Sequence, residues 1–209
     1  MRDQASYDGL DSQTLSNLLL NPAQRPEVHR MALSALSRRP SYDRTKRLLE
    51  VLRNVIETPD RFDQQVMMAT IDILATDPSA EATQAMLHML PGVLLSASRG
   101  KAGLNQEFRE YFYEALVTRR REEDVAIWRE ELPKLDSEAL VAMLFDPAAR
   151  PLNRLEPLRL ITRLPPAKRQ DALGRVFARA LLRKPGLALL ALRLMLNPSQ
   201  ALPPGRAPR

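Results

Sequence analysis

The seventeen residues LDSQTLSNLLLNPAQRP (Leu10–Pro26) return 125 residues later as LDSEALVAMLFDPAARP (Leu135–Pro151), without a gap and with nine identities. The register then holds: Leu33 meets Leu158, Arg38 Arg163, Pro40 Pro165, Arg44 Arg169, Leu48 Leu173 and Val51 Val176. Self-similarity over this distance marks a chain built by repeating one supersecondary unit, whose apolar face is buried by its neighbours. The duplication spans residues 10–79 and 135–199. A shorter period of 38 lies inside the first copy and aligns Val28 with Val66, Leu36 with Leu74, Pro40–Ser41 with Pro78–Ser79 and Leu52 with Leu90.

The periodicity within each unit is helical. Leu48, Leu52 and Val55 recur at the spacing of one helix face, as do Val66, Thr70 and Ile73, then Met86, Leu90 and Val93. This predicts helices over about 12–20, 27–37, 42–57, 61–75 and 80–95. Others follow around Phe108–Leu116, 122–132, 137–145, 152–164, 166–183 and 186–196, about ten in all. Asp11 and Asp136 stand just before apolar runs, where a carboxylate accepts from free first-turn amides. Pro91 falls inside a predicted helix and is expected to kink it. SASRGKAGLN (Ser96–Asn105) reads as a loop.

PEVHRMALSALSRRPSYDRTKRLLEVL (Pro26–Leu52) and its weaker copy around Phe62–Leu90 resemble HEAT repeats: antiparallel helix pairs with an Ala-Leu pair late in the first helix and a leucine-rich second helix. The resemblance covers 26–133 and 152–196. It implies an all-α α-solenoid in which the row of second helices is the usual binding surface. The expected organisation is one helical-repeat domain over 1–196. Its halves are about 10–96 and 135–196, with a middle unit over 105–133, and residues 197–209 form a disordered Pro-rich tail.

Composition narrows the chemistry. The chain has no cysteine, which removes disulfides, thiolate metal sites and cysteine nucleophiles. Its longest apolar run, Leu187–Leu192, falls well short of the ~20 residues a membrane span needs. No secretory h-region opens the sequence, so a cytoplasmic location is expected. The two histidines, His29 and His88, lie in different units without a neighbouring ligand, no phosphate-cradling glycine loop or nucleophile elbow is present, and no cofactor is expected.

Charge is segregated. Residues 1–149 carry 18 basic and 23 acidic side chains, whereas residues 150–209 carry 13 basic and 2 acidic. Lys168, Arg175, Arg179 and Arg183, spaced 7, 4 and 4, fall on one stripe of a predicted helix. Arg150 with Arg154, and Arg159 with Arg163, repeat the four-residue spacing upstream. Such a stripe suits a polyanion or an acidic protein surface; a solvated face in an arginine-rich chain has the same appearance. Aromatic rings for base stacking are nearly absent there, since Phe177 is the only one after residue 150.

Tyr111, Tyr113 and Trp128 are the aromatic surface candidates, tyrosine being suited to interfaces. Asp124 lies one helical turn before Trp128, and basic HEAT-like proteins of this size include the alkylpurine DNA glycosylases. That parallel rests on size, charge and fold, with no motif behind it. The acidic runs Glu122–Asp124 and Glu130–Glu131 read as a helix start and a solvated face, with Arg119–Arg121 in local ion pairs. The expectation is a scaffold or adaptor without catalysis that binds a protein partner. A DNA- or RNA-binding protein using the basic C-terminal helices is the alternative, and a glycosylase is a remote third.

Overall fold

The computed structural model describes residues 4–96, 104–119, 125–149 and 155–197, and among these the regular structure is α-helix and short 3-10 turns, with no strand. They form two compact units, residues 1–131 and 132–209.

The first unit contains α1 (Gln4–Asp8), α2 (Ser12–Leu20), α3 (Pro26–Ser37), α4 (Ser41–Glu57), α5 (Gln64–Thr76), α6 (Ala80–Ser96), α7 (Gln106–Thr118) and α8 (Val125–Glu131). Its core is the predicted stripe: Leu48, Leu52 and Val55 of α4, Met86, Leu90 and Val93 of α6, and Phe108 and Phe112 of α7 are all fully buried. Each helix packs on the one two places along. In one row α3 meets α5 and α5 meets α7; in the other α2 meets α4, α4 meets α6 and α6 meets α8. Short helices cannot hold themselves in water, so this two-row burial is what keeps them folded.

The second unit contains α9 (Ser137–Phe145), α10 (Leu155–Arg163), α11 (Pro166–Ala180) and α12 (Pro185–Leu196). Here α9 packs on α10 and α11, as α2 packs on α3 and α4, and α12 lies along α11. The matched sequences make matched bonds. The Thr14 amide donates to the Asp11 carboxylate at 2.8 Å, and the Ala139 amide to Asp136 at 2.7 Å. The next turn is also shared: the Ala23 amide donates to Asn21 Oδ1 and the Ala148 amide to Asp146 Oδ1, each at 3.0 Å. Pro40 and Pro165 lead into α4 and α11 with nearly the same extended backbone, φ −52°, ψ 143° and φ −51°, ψ 146°. Their side chains cannot supply a cap, but their fixed φ sets the entry angle.

Two helix boundaries depart from the sequence reading, and the helix count is higher. Twelve α-helices are present among the described residues, against about ten expected; α1 had no periodic signal. The helix expected from residue 61 starts at Gln64, because Pro59–Arg61 closes a 3-10 turn and Asp63 then caps α5 by accepting from the Gln65 amide at 2.8 Å. The helix expected over 166–183 stops at Ala180. The amides of Arg183 and Lys184 both fold back on the Ala180 carbonyl, and Pro185 holds Lys184 out of the helical region. Pro91 sits inside α6 without ending it. Beside it, a Cβ at Gly92 would come within 3.0 Å of Ile56 Cγ2, so the missing side chain lets α6 approach α4 closely. Most of the expected 96–105 loop, the start of the expected 122–132 helix and the tail from Pro198 lie outside the described residues.

Candidate interaction surface

The basic stripe resolves into distinct environments. Lys168, Arg175 and Arg179 share one exposed line of α11, whose opposite side buries Leu173, Val176 and Ala180. Arg175 is paired with Asp171 at 2.9 Å, both side chains about half exposed. Lys168 and Arg179 form no ion pair among the described residues. Arg183 is exposed too, but it stands in the turn after α11 rather than on the stripe. On α10, Arg163 is exposed, whereas Arg159 is half-buried and paired with Glu156 at 3.5 Å. Arg150 and Arg154 lie outside the described residues.

Among the aromatic candidates, two are corrected. Tyr113 is fully buried, its ring edge-on to Phe112 with centroids 6.0 Å apart, and Trp128 is also buried. Both serve packing, because α7 and α8 each turn these rings toward neighbouring helices. Tyr111 is half-buried, and its hydroxyl donates to the Asp72 carboxylate on α5. That acceptor, helped by burial, holds the phenol proton and pushes its pKa up to about 12. Asp124 lies outside the described residues, so the pairing with Trp128 carries no geometry.

Two charges expected at the surface are buried instead. Glu131, read as part of a solvated face, accepts from Gln84 at 3.1 Å and meets His88 Nε2 at 3.0 Å. Arg119, read as a partner in local ion pairs, has its guanidinium folded under α5. It donates to the carbonyls of Leu74 at 2.7 Å, Ala75 at 2.9 Å and Ser79 at 2.8 Å, to that of Asp77, and to Thr83 Oγ1 at 2.9 Å. The carbonyls at a helix end need such donors, and one planar fork supplies them. No three of His, Asp and Glu gather at metal-ligand spacing among the described residues.

No family model, curated protein or solved structure matches this chain. Geometry and chemistry alone therefore point to the surface.

Two exposed features are apolar, which the charge pattern did not foretell. On the first unit, Tyr42, Lys46, Leu49 and Arg53 follow one line of α4. With Thr45, Glu50 and Glu81 they line a groove of about 360 Å³, and Tyr42 is 75 % exposed. On the second unit, Leu181, Leu182, Leu189 and Leu196 are 52, 94, 66 and 71 % exposed. Four large leucines open to solvent within sixteen residues are a concentration that isolated surface hydrophobics do not make. The signal was in the sequence: PGLALLALRLML is apolar on every side, more than packing along a single partner helix uses. No helix among the described residues is long and apolar enough to cross a membrane.

Proposed function

We propose that this chain is a non-catalytic scaffold or adaptor of HEAT-like α-solenoid architecture, acting in the cytoplasm and holding another protein against its helical surface. The row-on-row packing of the first unit supports the solenoid, since solenoid helices meet chiefly their counterparts in the next pair. The observation that carries the binding role is the four exposed leucines of residues 181–196, in a unit where the exposed Lys168 and Arg179 of α11 form no ion pair among the described residues. Burying such leucines against a partner removes apolar surface from water, which is favourable by about 25 cal/mol per Å² buried. Cross-linking of the full chain in a cell extract, with the linked peptides mapped, tests this reading. Recurrent links from one protein to residues of α11 and α12 support it, and links spread evenly over the chain count against it.

A second reading is favoured by one observation of its own. Lys168, Arg179 and Arg183 are exposed in a region with 13 basic and 2 acidic residues, and phosphate contacts alone give non-specific affinity for duplex nucleic acid.

A further inference from the structure

We propose that the outer face of α12 docks an acidic amphipathic helix belonging to a partner protein. The proposal rests on the adaptor reading and names the chemistry of its partner.

The inner side of α12 is spent on α11: Ala188, Ala191 and Leu194 are buried there. Gly186, Leu189, Arg193 and Leu196 are exposed and follow one another at spacings of 3, 4 and 3. That alternation keeps them on a single line, the spacing by which one helix receives another. The line is open along its length. Nothing stands within 4 Å of where a Cβ at Gly186 would sit, and Leu181 and Leu182, before the helix, are exposed as well.

Charge selects the occupant. No acidic residue occurs after Asp171, and Asp171 itself is paired with Arg175. Arg179, Arg183 and Arg193 are exposed in this region. Lys184 points its ammonium elsewhere, over the Phe145 ring and toward the Leu144 carbonyl. Arg193 is the deciding residue, because it stands in the apolar line between Leu189 and Leu196. A second copy of α12 would bring another Arg193 and the same surplus of positive charge. A bilayer surface could take up the leucines only with the Arg193 guanidinium bent out of their line to the headgroups. A duplex backbone would leave the leucines in water. A partner helix with apolar residues at the same spacing and carboxylates beside them answers both features, with opposite charges also steering the encounter.

The test uses the full chain and a fluorescein-labelled helical peptide of about three heptads, leucine along its seam and glutamate on both flanks. The expected result is binding that weakens with salt and falls about tenfold or more in L189E, as removal of a central contact does. R193E should also weaken it, and a peptide carrying lysine at the facing position should recover affinity for R193E alone. Both side chains are exposed, so circular dichroism should match the parent, and L196E gives the same reading should either variant misfold. Failure of the acidic peptide to bind, or equal affinity for L189E, overturns the proposal. So does binding to anionic phospholipid vesicles, or self-association in sedimentation, that exceeds peptide binding and is lost in L189E. A cross-linked partner mapped instead to Tyr42 and Leu49 of α4 would leave the adaptor reading standing and remove this face from it.

Discussion

Arg44 and Arg169 hold the same position in the two copies and reach back to the same carbonyl. Arg44 Nη1 donates to Ser37 at 3.0 Å, and Arg169 Nη1 lies 3.5 Å from Thr162, seven residues earlier in each case. Both contacts tie the start of one long helix to the end of the helix before it, across the turns led by Pro40 and Pro165. The first unit adds a partner: Arg44 also pairs with Asp77, whose carboxylate accepts from Ser41 and Thr45 as well.

Asp77 is therefore a pH-dependent support of the first unit. Burial alone would raise its pKa, but the Arg44 guanidinium, the Ser79 amide and the Ser41 hydroxyl outweigh it and hold the carboxyl far below the usual range. A depressed folded value stabilises fully above the unfolded carboxylate pKa near 4 and is lost as pH falls through the folded value. Denaturant melts should show stability dropping below about pH 4, with a shallower drop in D77N. Removal of one partner from a buried pair costs about 3–5 kcal/mol, so R44A should be strongly destabilised at neutral pH. Unchanged acid sensitivity in D77N would contradict this.

Leu15 and Leu140 occupy matching places in α2 and α9, and both are fully buried. Truncation of such a leucine costs about 2–5 kcal/mol, according to how far the site collapses. Leu15→Ala and Leu140→Ala should each fall in that range, measured by urea unfolding. A cost below about 1 kcal/mol in either would show that its helix is not part of a packed core.

Tyr111 should titrate well above the usual phenol range. Its raised pKa means that the Asp72 contact is fully present below about pH 10 and is lost as pH rises toward 12. In a spectrophotometric titration the phenolate step near pH 12 should lose amplitude in Y111F and move down in pH in D72N. A titration of D72N identical to that of the parent would sever this link between α5 and α7.

The nucleic-acid reading makes a sharp demand on α11. If phosphate is the target, anisotropy with a duplex DNA should show binding that falls steeply with salt, as counterion release requires. Replacing Arg175, Arg179 and Arg183 by Glu should then abolish it with helicity unchanged. On the adaptor reading no more than weak, sequence-independent binding at low salt is expected.

The sequence was most legible where a local rule acts alone. Asp11 and Asp136 cap as their position before an apolar run requires, and the apolar spacing of α4 and α6 names the residues that are buried. It was least legible where tertiary contact overrides a local pattern. Arg119 and Glu131 sit in charged runs that resemble solvated faces, yet each is drawn under a neighbouring helix by polar groups 36 or more residues away. Tyr113 differs from Tyr111 by two positions, and only the packing of α7 decides which is buried. The leucines of α12 carried a signal of another kind: the helix has apolar residues on more sides than its packing along α11 uses, and Leu189 and Leu196 are left in solvent.

The most direct test of the central claim is affinity purification of the full chain beside its L189E/L196E variant, at matched expression and with nuclease treatment. If the chain is an adaptor, a stoichiometric protein partner is recovered with the parent chain and lost from the variant. Recovery of the parent chain alone, or of a complex that nuclease dissolves, would contradict it.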